Sequence, residues 1–295
     1  MANRSRVVIA ADAIKTILKK QPAALTREDL QQLFDSFRHK WNLPSGMTPE
    51  KFIKELLEEG ILKSDPVYGS YRLPLYYLPD RSVYELAGTI TNERYFSHST
   101  ALWLWNLISN ESKNVYINQE RSSPSSNTRI TKLTQPAIDK AFSQPQRQSD
   151  NQIVLAGYEV TLLQGMYTGR LGVINTSLRK IKNLQITDLE RTLLDCAVRP
   201  AYAGGADVVA SAFQMAGAHG KLDVLKLADY LTQMNYIYPY RQAIGFYLER
   251  ANCFKAEHID IFREENFEYD FYLEHGLQEI HYCQDWRLYV SEQMI

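Results

Sequence analysis

No stretch of this 295-residue chain approaches the ~18 consecutive apolar residues that a membrane-spanning helix needs. Cysteine is scarce. Cys196, Cys253 and Cys283 are odd in number and far apart, which gives neither a disulfide framework nor a CxxC metal site; a reducing cytoplasm is the simpler setting for them. No GxSxG elbow occurs anywhere, so the usual mark of an α/β-hydrolase is missing. An excess of charge is missing too, the net value being −1. That argues against a strongly basic protein, but the charge is unevenly placed. Residues 1–79 hold 12 Lys/Arg against 9 Asp/Glu, and residues 240–295 hold 5 against 11. A basic beginning and an acidic end are compatible with nucleic-acid contact at the N-terminal side.

What the chain does have is ordinary globular composition, with 45% hydrophobic and 23% charged residues, and a length that suits two domains of roughly 100–200 residues. Its nineteen tyrosines fit half-buried or binding surfaces, because the ring packs while the hydroxyl stays polar. The first twenty residues carry basic residues and then an apolar stretch, but Asp12 and Lys15 interrupt it and no small-residue cleavage site follows. This predicts a helix of the fold, not a signal peptide.

Val7, Val8, Ala11, Ile14, Ile17 and Leu18 repeat at helical spacing over 7–19. Thr26 has the character of an N-cap, with Glu28 and Asp29 behind it, and a second helix runs to about Trp41. Thr48 and Pro49 open a third, whose apolar face is Phe52, Ile53, Leu56 and Leu57 and whose end is Gly60. Short β-like runs at 61–63 and 71–73, joined by a turn, complete the order of a winged helix. In that arrangement the start of the third helix enters the major groove and the hairpin touches phosphates. The predicted DNA-contacting residues are therefore Arg4 and Arg6 as a basic arm, Arg27, then Ser45, Thr48, Lys51 and Lys54 near the third helix start, and Lys63, Tyr68, Tyr71 and Arg72 on the hairpin. Glu55, Glu58 and Glu59 make the end of that helix acidic, which leaves a protein-binding winged helix as the rival reading.

The rest of the chain mixes a few strands with several helices. A short helix is expected at 83–90, another over Ser97–Leu107, a strand around Val115–Ile117, and an amphipathic helix at 137–142 between polar loops. β runs come next at 152–163, 171–177 and 184–187, then helices at 188–199, 205–216, 222–234 and 240–252. The expected fold is α+β: a winged-helix domain over 1–80, and an α/β domain over 81–295 with a small sheet and a helical C-terminal part.

Chemistry is harder to find. Thr187 with Glu190 has capping-box spacing, and Arg191, Asp195 and Arg199 lie beyond them on one helix face. Intrahelical ion pairs explain that ladder better than metal binding by Glu190 and Asp195. Gly204-Gly205 precedes a helix without the spacing of a P-loop, so tight packing at a helix start is favoured over a phosphate cradle. Ser97 and His98 are neighbours in sequence, which in a helix do not face each other, so capping by a serine is favoured over a nucleophile and base. His281 and Cys283 lack further ligands. No constellation amounts to an active site, and neither a metal nor a cofactor is expected.

Several of these segments resemble the AbiEi family of antitoxins. Tyr95-Phe96-Ser97-His98-Ser99-Thr100-Ala101-Leu102 is similar to a helix start of that family, and Ile186–Asp195 to its most telling segment. Arg199-Pro200, Gly204-Gly205, Phe271-Tyr272-Leu273 and Trp286–Val290 also fit. The scattered likeness covers roughly residues 90–290. It implies an antitoxin of a type IV toxin–antitoxin or abortive-infection system, acting in the cytoplasm. Its winged helix would bind inverted repeats in double-stranded operator DNA and repress the operon. Its functional partner would be an AbiEii-like nucleotidyltransferase toxin, with no direct binding expected. A preformed dimer and monomers assembling on the repeats both fit. A metal-dependent nuclease or nucleotide-modifying enzyme and a protein-binding scaffold are the alternatives.

Overall fold

A computed structural model describes residues 5–65, 74–90, 93–123, 132–264 and 266–295. It divides into two compact units, one made of residues 1–93 with 151–161, the other of 94–150 with 162–295.

The first unit begins with α1 (Arg6–Ile9) and α2 (Ala11–Leu18), where one continuous helix was expected. The break falls at Ala10, and Ser5 caps α1 by accepting from the Val7 N–H. α3 (Arg27–Phe37) starts at Thr26 with a complete capping box, Thr26 and Asp29 each accepting from the other's backbone. α4 (Pro49–Glu58) is capped by Thr48 and has proline in its first turn. Leu30, Phe34, Phe52 and Leu56 sit in one core with Val7, Ile14 and Trp41, and the Phe34 and Phe52 rings lie 5.2 Å apart. Ile61 and Leu62 were expected to start a strand. Both instead donate their N–H groups to the Leu56 carbonyl and are buried as the end of the helix. The antiparallel pair is β1 (Lys63–Asp65) with β2 (Leu75–Tyr77), just past Pro74, which has no N–H for a ladder. Tyr76 and Leu25 also exchange two backbone hydrogen bonds of 2.8 Å. α5 (Val83–Ile90) comes next, opened by a reciprocal Ser82–Glu85 box.

The second unit starts with β3 (Tyr95–Phe96), α6 (His98–Leu104), β4 (Asn114–Glu120) and α7 (Gln135–Phe142). β5 (Gln152–Leu155) and the first half of β6 (Tyr158–Gly165) then form a hairpin that belongs to the first unit. Ala156 and Gly157 both have positive φ, as a two-residue turn of matching twist requires. From Leu162 onward β6 belongs to the second unit. β7 (Val173–Leu178) and β8 (Ile181–Thr187) complete the strand order β6-β4-β3-β8-β7, in which β3 runs antiparallel to β4 and parallel to β8, and β7 antiparallel to β8. Arg179 and Lys180 turn that last hairpin with positive φ; the Arg179 guanidinium donates to the Trp103 carbonyl and lies 4.0 Å from the Trp103 ring centroid, which fixes it there.

Beyond β8 the chain is mainly helical, with α8 (Leu189–Val198), α9 (Ala206–Ala218), α10 (Val224–Met234), α11 (Tyr240–Arg250) and α12 (Ala256–Asp260). α8 is buried along nearly its whole length, packed among α6, α9, α10 and α11. The aromatic tail closes on itself as a small sheet. β10 (Ile280–Cys283) runs antiparallel to β11 (Leu288–Ser291), which pairs in parallel with β9 (Phe271–Tyr272). Gln242 ties α11 to this sheet by donating to the carbonyls of Trp286 and Arg287. The protein is therefore α+β. Among the described residues no helix is long and apolar enough to cross a membrane.

Candidate functional site

Five of the eleven predicted contacts meet at the start of α4: Ser45, Thr48, Lys51 and Lys54 lie along it, and Arg27 reaches it through Glu50. Residues 38–48 link α3 to α4, a longer connection than the roughly three or four residues of a tight helix-turn-helix. The link is held from inside. The Arg38 guanidinium donates to the carbonyls of Pro44 and Ser45 and lies over the Phe34 ring. Ser45, Thr48, Lys51 and Lys54 are all exposed. Thr48 is already occupied as the cap, accepting from the Lys51 N–H, so its hydroxyl positions the helix before it contacts anything else.

Two of the acidic residues of α4 are ion-paired and a third is hydrogen-bonded. Arg27 reaches across to Glu50 at 2.7 Å. The Glu50 carboxyl is held below its ordinary range, first by its own backbone N–H at the helix start, then by Arg27 and Thr48. Glu55 turns inward and accepts from the Ser5 hydroxyl at 2.5 Å. Glu58 faces Lys54 at 3.5 Å, one turn away on the exposed side, a pair worth only about 0.3–0.5 kcal/mol. Lys51 is exposed and, among the described residues, has no carboxylate partner. Lys63 is exposed on β1. Arg6 is the first residue of α1 and so is part of a helix, not an extended arm. Arg4, Tyr68, Tyr71 and Arg72 lie outside the described residues.

The second cluster is built around α8. Its cap is Asp188, one residue later than the spacing predicts. Asp188 accepts from the Arg191 N–H, from the Tyr230 hydroxyl and from Lys226. Thr187 ends β8, and its hydroxyl is bonded to that of Thr192 at 2.7 Å. Glu190 accepts from the Asp223 N–H and from Lys226. Burial works against the Lys226 charge, but Asp188 and Glu190 outweigh it and hold the ammonium well above its usual value. Asp195 instead pairs with Arg191 at 2.8 Å, with side chains only 8% and 3% exposed. Arg191 also donates to Thr168 and to the Leu171 carbonyl. Glu190 and Asp195 are therefore committed to different cations, and no group of three or more His, Cys, Asp or Glu suited to a metal exists among the described residues. Arg199 leaves the helical ladder and donates to the Arg147 carbonyl.

No family model matches the chain, and no curated protein matches it either. Among solved structures, the RV2827C protein from Mycobacterium tuberculosis is similar, with a TM-score of 0.61 at 15% identity, over 95% of this chain and 91% of that one. At that identity the likeness is one of fold.

Two of the motifs singled out from the sequence depend on local backbone conformation. His98 has φ +52°, and this left-handed turn at the helix start brings its Nδ1 within 2.9 Å of the Ser97 hydroxyl. Helical spacing excluded that contact, because it assumes helical backbone at both residues. His98 is buried, edge-on to Tyr202 at 5.2 Å, and burial pushes its pKa down to about 4, so the ring is neutral. At Gly204-Gly205 both φ values exceed +100°, which favours glycine. The α9 start there is already filled by a carboxylate, since Glu274 accepts from the Ala206 N–H.

Proposed function

We propose that this protein is an AbiEi-like antitoxin that acts in the cytoplasm and represses its own operon. The first unit serves as a winged helix on promoter inverted repeats, and the second acts against a nucleotidyltransferase-like toxin without binding it. The observation that carries the DNA half is the exposed start of α4. Ser45, Thr48, Lys51 and Lys54 stand together there, the link before them is locked by Arg38, and Arg27, Ser5 and Lys54 offset the helix's acids. Of the acidic residues that spoke against a DNA-reading helix, Glu58 is paired with Lys54 and Glu55 accepts from the Ser5 hydroxyl, while Glu59 is exposed with no ion pair among the described residues. The helices α1 to α4, the first two dividing a single apolar stretch, followed by the β1–β2 pair, support the same reading.

Gel shifts with the full chain and its own upstream DNA test it. Retardation at physiological salt is expected, with a dissociation constant of about 10⁻⁸–10⁻¹¹ M. Lys51→Ala should relax sequence preference, costing roughly 1–3 kcal/mol, and Lys63→Ala should weaken all sequences alike and lower the salt slope by about 1. Retardation that is equal for unrelated DNA overturns the repressor half. For the antitoxin half, co-expression should restore growth to cells carrying a neighbouring nucleotidyltransferase-like gene; unrelieved toxicity overturns it.

A further inference from the structure

We propose that the second unit binds a free nucleoside phosphate in a cavity beside α8. The cavity measures about 590 Å³, within the size range of small-molecule sites and far larger than a lone phosphate needs. It lies wholly in the second unit.

Besides Arg191, which is paired with Asp195, three arginines line it: Arg121 after β4, Arg147 in the loop after α7, and Arg199 after α8. Among the described residues no carboxylate pairs with any of them, and the Arg199 contact to the Arg147 carbonyl leaves both charges unneutralised. All three are exposed at the mouth. Guanidinium groups converging from three segments suit a polyanion, because each presents a planar fork that matches phosphate oxygens. The wall also carries Tyr236 and Tyr238, from the turn between α10 and α11, and Tyr240, the first residue of α11. Tyr240 is buried in the core, whereas the half-buried Tyr236 and Tyr238 can offer a ring face to a planar base and hydroxyls to a sugar.

A separate observation points inward. Asp195 lines the cavity, and its Oδ1 accepts from Arg191. Its Oδ2 is buried with no partner among the described residues. A buried acceptor left unmatched is costly, and the missing partner must be a donor. His98, also on the wall, has one ring nitrogen beyond the one facing Ser97. Phosphate at the arginines, a ring on the tyrosines and an N–H or O–H donor for Asp195 together describe a nucleotide. Inorganic phosphate would satisfy only the first of these.

Calorimetric titration of the full chain with ATP, GTP, CTP and UTP, and with tripolyphosphate as the probe lacking base and sugar, tests the proposal. At least one nucleotide should bind roughly tenfold or more tighter than tripolyphosphate, a difference of about 1.4 kcal/mol. The Arg121→Ala/Arg147→Ala double variant removes exposed side chains without structural partners and should lose that binding while keeping its melting temperature. Lys51→Ala, in the first unit, should bind as the wild type does. Three results overturn it: no saturable nucleotide binding, equal affinity for tripolyphosphate, or undiminished binding by the double variant. None of these bears on the gel shifts, so the two readings fail separately.

Discussion

Replacing His98 by asparagine should remove much of the pH dependence of the second unit's stability. The imidazole is 7% exposed, lies against Tyr202 and Tyr116 and is bonded to Ser97. Burial first of all, then the charges of Arg199 and Arg191, disfavour its protonated form, with Asp195 acting in the opposite sense; the net result is a pKa of about 4. In the unfolded chain the same group titrates near ~6.5. As pH falls below that value the unfolded state takes up a proton that the native state refuses, so stability is lost. The loss levels off below about 4, where both states are protonated. At about 1.36 kcal/mol per unit of displacement, the whole window is worth roughly 3 kcal/mol. Asparagine is the right replacement because position 98 has φ +52°, a region asparagine tolerates better than most residues. Urea unfolding of both proteins between about pH 7 and pH 4 measures the difference directly, since carboxylates elsewhere titrate in both and cancel. The wild type should lose roughly 3 kcal/mol more than the variant over that span. Parallel curves would refute the argument, even if the variant is weaker at neutral pH, because the test reads the slope and not the offset.

Two further substitutions probe the packing of the second unit. A Cβ at Gly245 would sit 2.1 Å from the Trp286 ring, which is 1% exposed, so Gly245→Ala should cost on the order of 1–3 kcal/mol by overpacking. A red-shifted tryptophan emission should accompany the loss; unchanged emission with unchanged stability would contradict it. Asp188→Ala removes a helix cap and leaves Tyr230 and Lys226 without that acceptor. Chemical denaturation should show roughly 2–4 kcal/mol of destabilisation, and a loss below about 1 kcal/mol, the size of an ordinary cap, would mean that Glu190 alone satisfies Lys226.

Helices with caps and regular apolar spacing were readable in advance: α3, α4 and the series α8 to α11 all fall where the periodicity puts them. What spacing could not give was backbone conformation at single residues. The capping role passed from Thr187 to Asp188 because Thr187 is the last residue of β8 and its hydroxyl is taken by Thr192. The first helix divides at Ala10 although its apolar pattern runs straight through. The tail resisted assignment because β9, β10 and β11 are two to four residues long and their pairing joins Phe271 to Leu288, a partner no local window contains. At the α4 surface the exposed cations were legible, but the Arg27–Glu50 and Ser5–Glu55 contacts that change its electrostatic character span 23 and 50 residues. The cavity residues are drawn from six separate stretches of chain, and only the fold brings them together.

The β5–β6 hairpin belongs to the first unit although the chain on either side of it belongs to the second. Ala156 donates its N–H to Asp65 at 2.5 Å, and the Tyr77 hydroxyl donates to the same carboxylate. During vectorial synthesis, therefore, the N-terminal unit emerges first but lacks its last piece until Thr161 has been added. At about 5–20 residues per second, the interval between Glu93 and Thr161 lasts several seconds. Throughout it the Asp65 carboxylate has the Tyr77 hydroxyl but not the Ala156 N–H, and a nascent chain severed before residue 151 carries the helices without the hairpin that completes their unit.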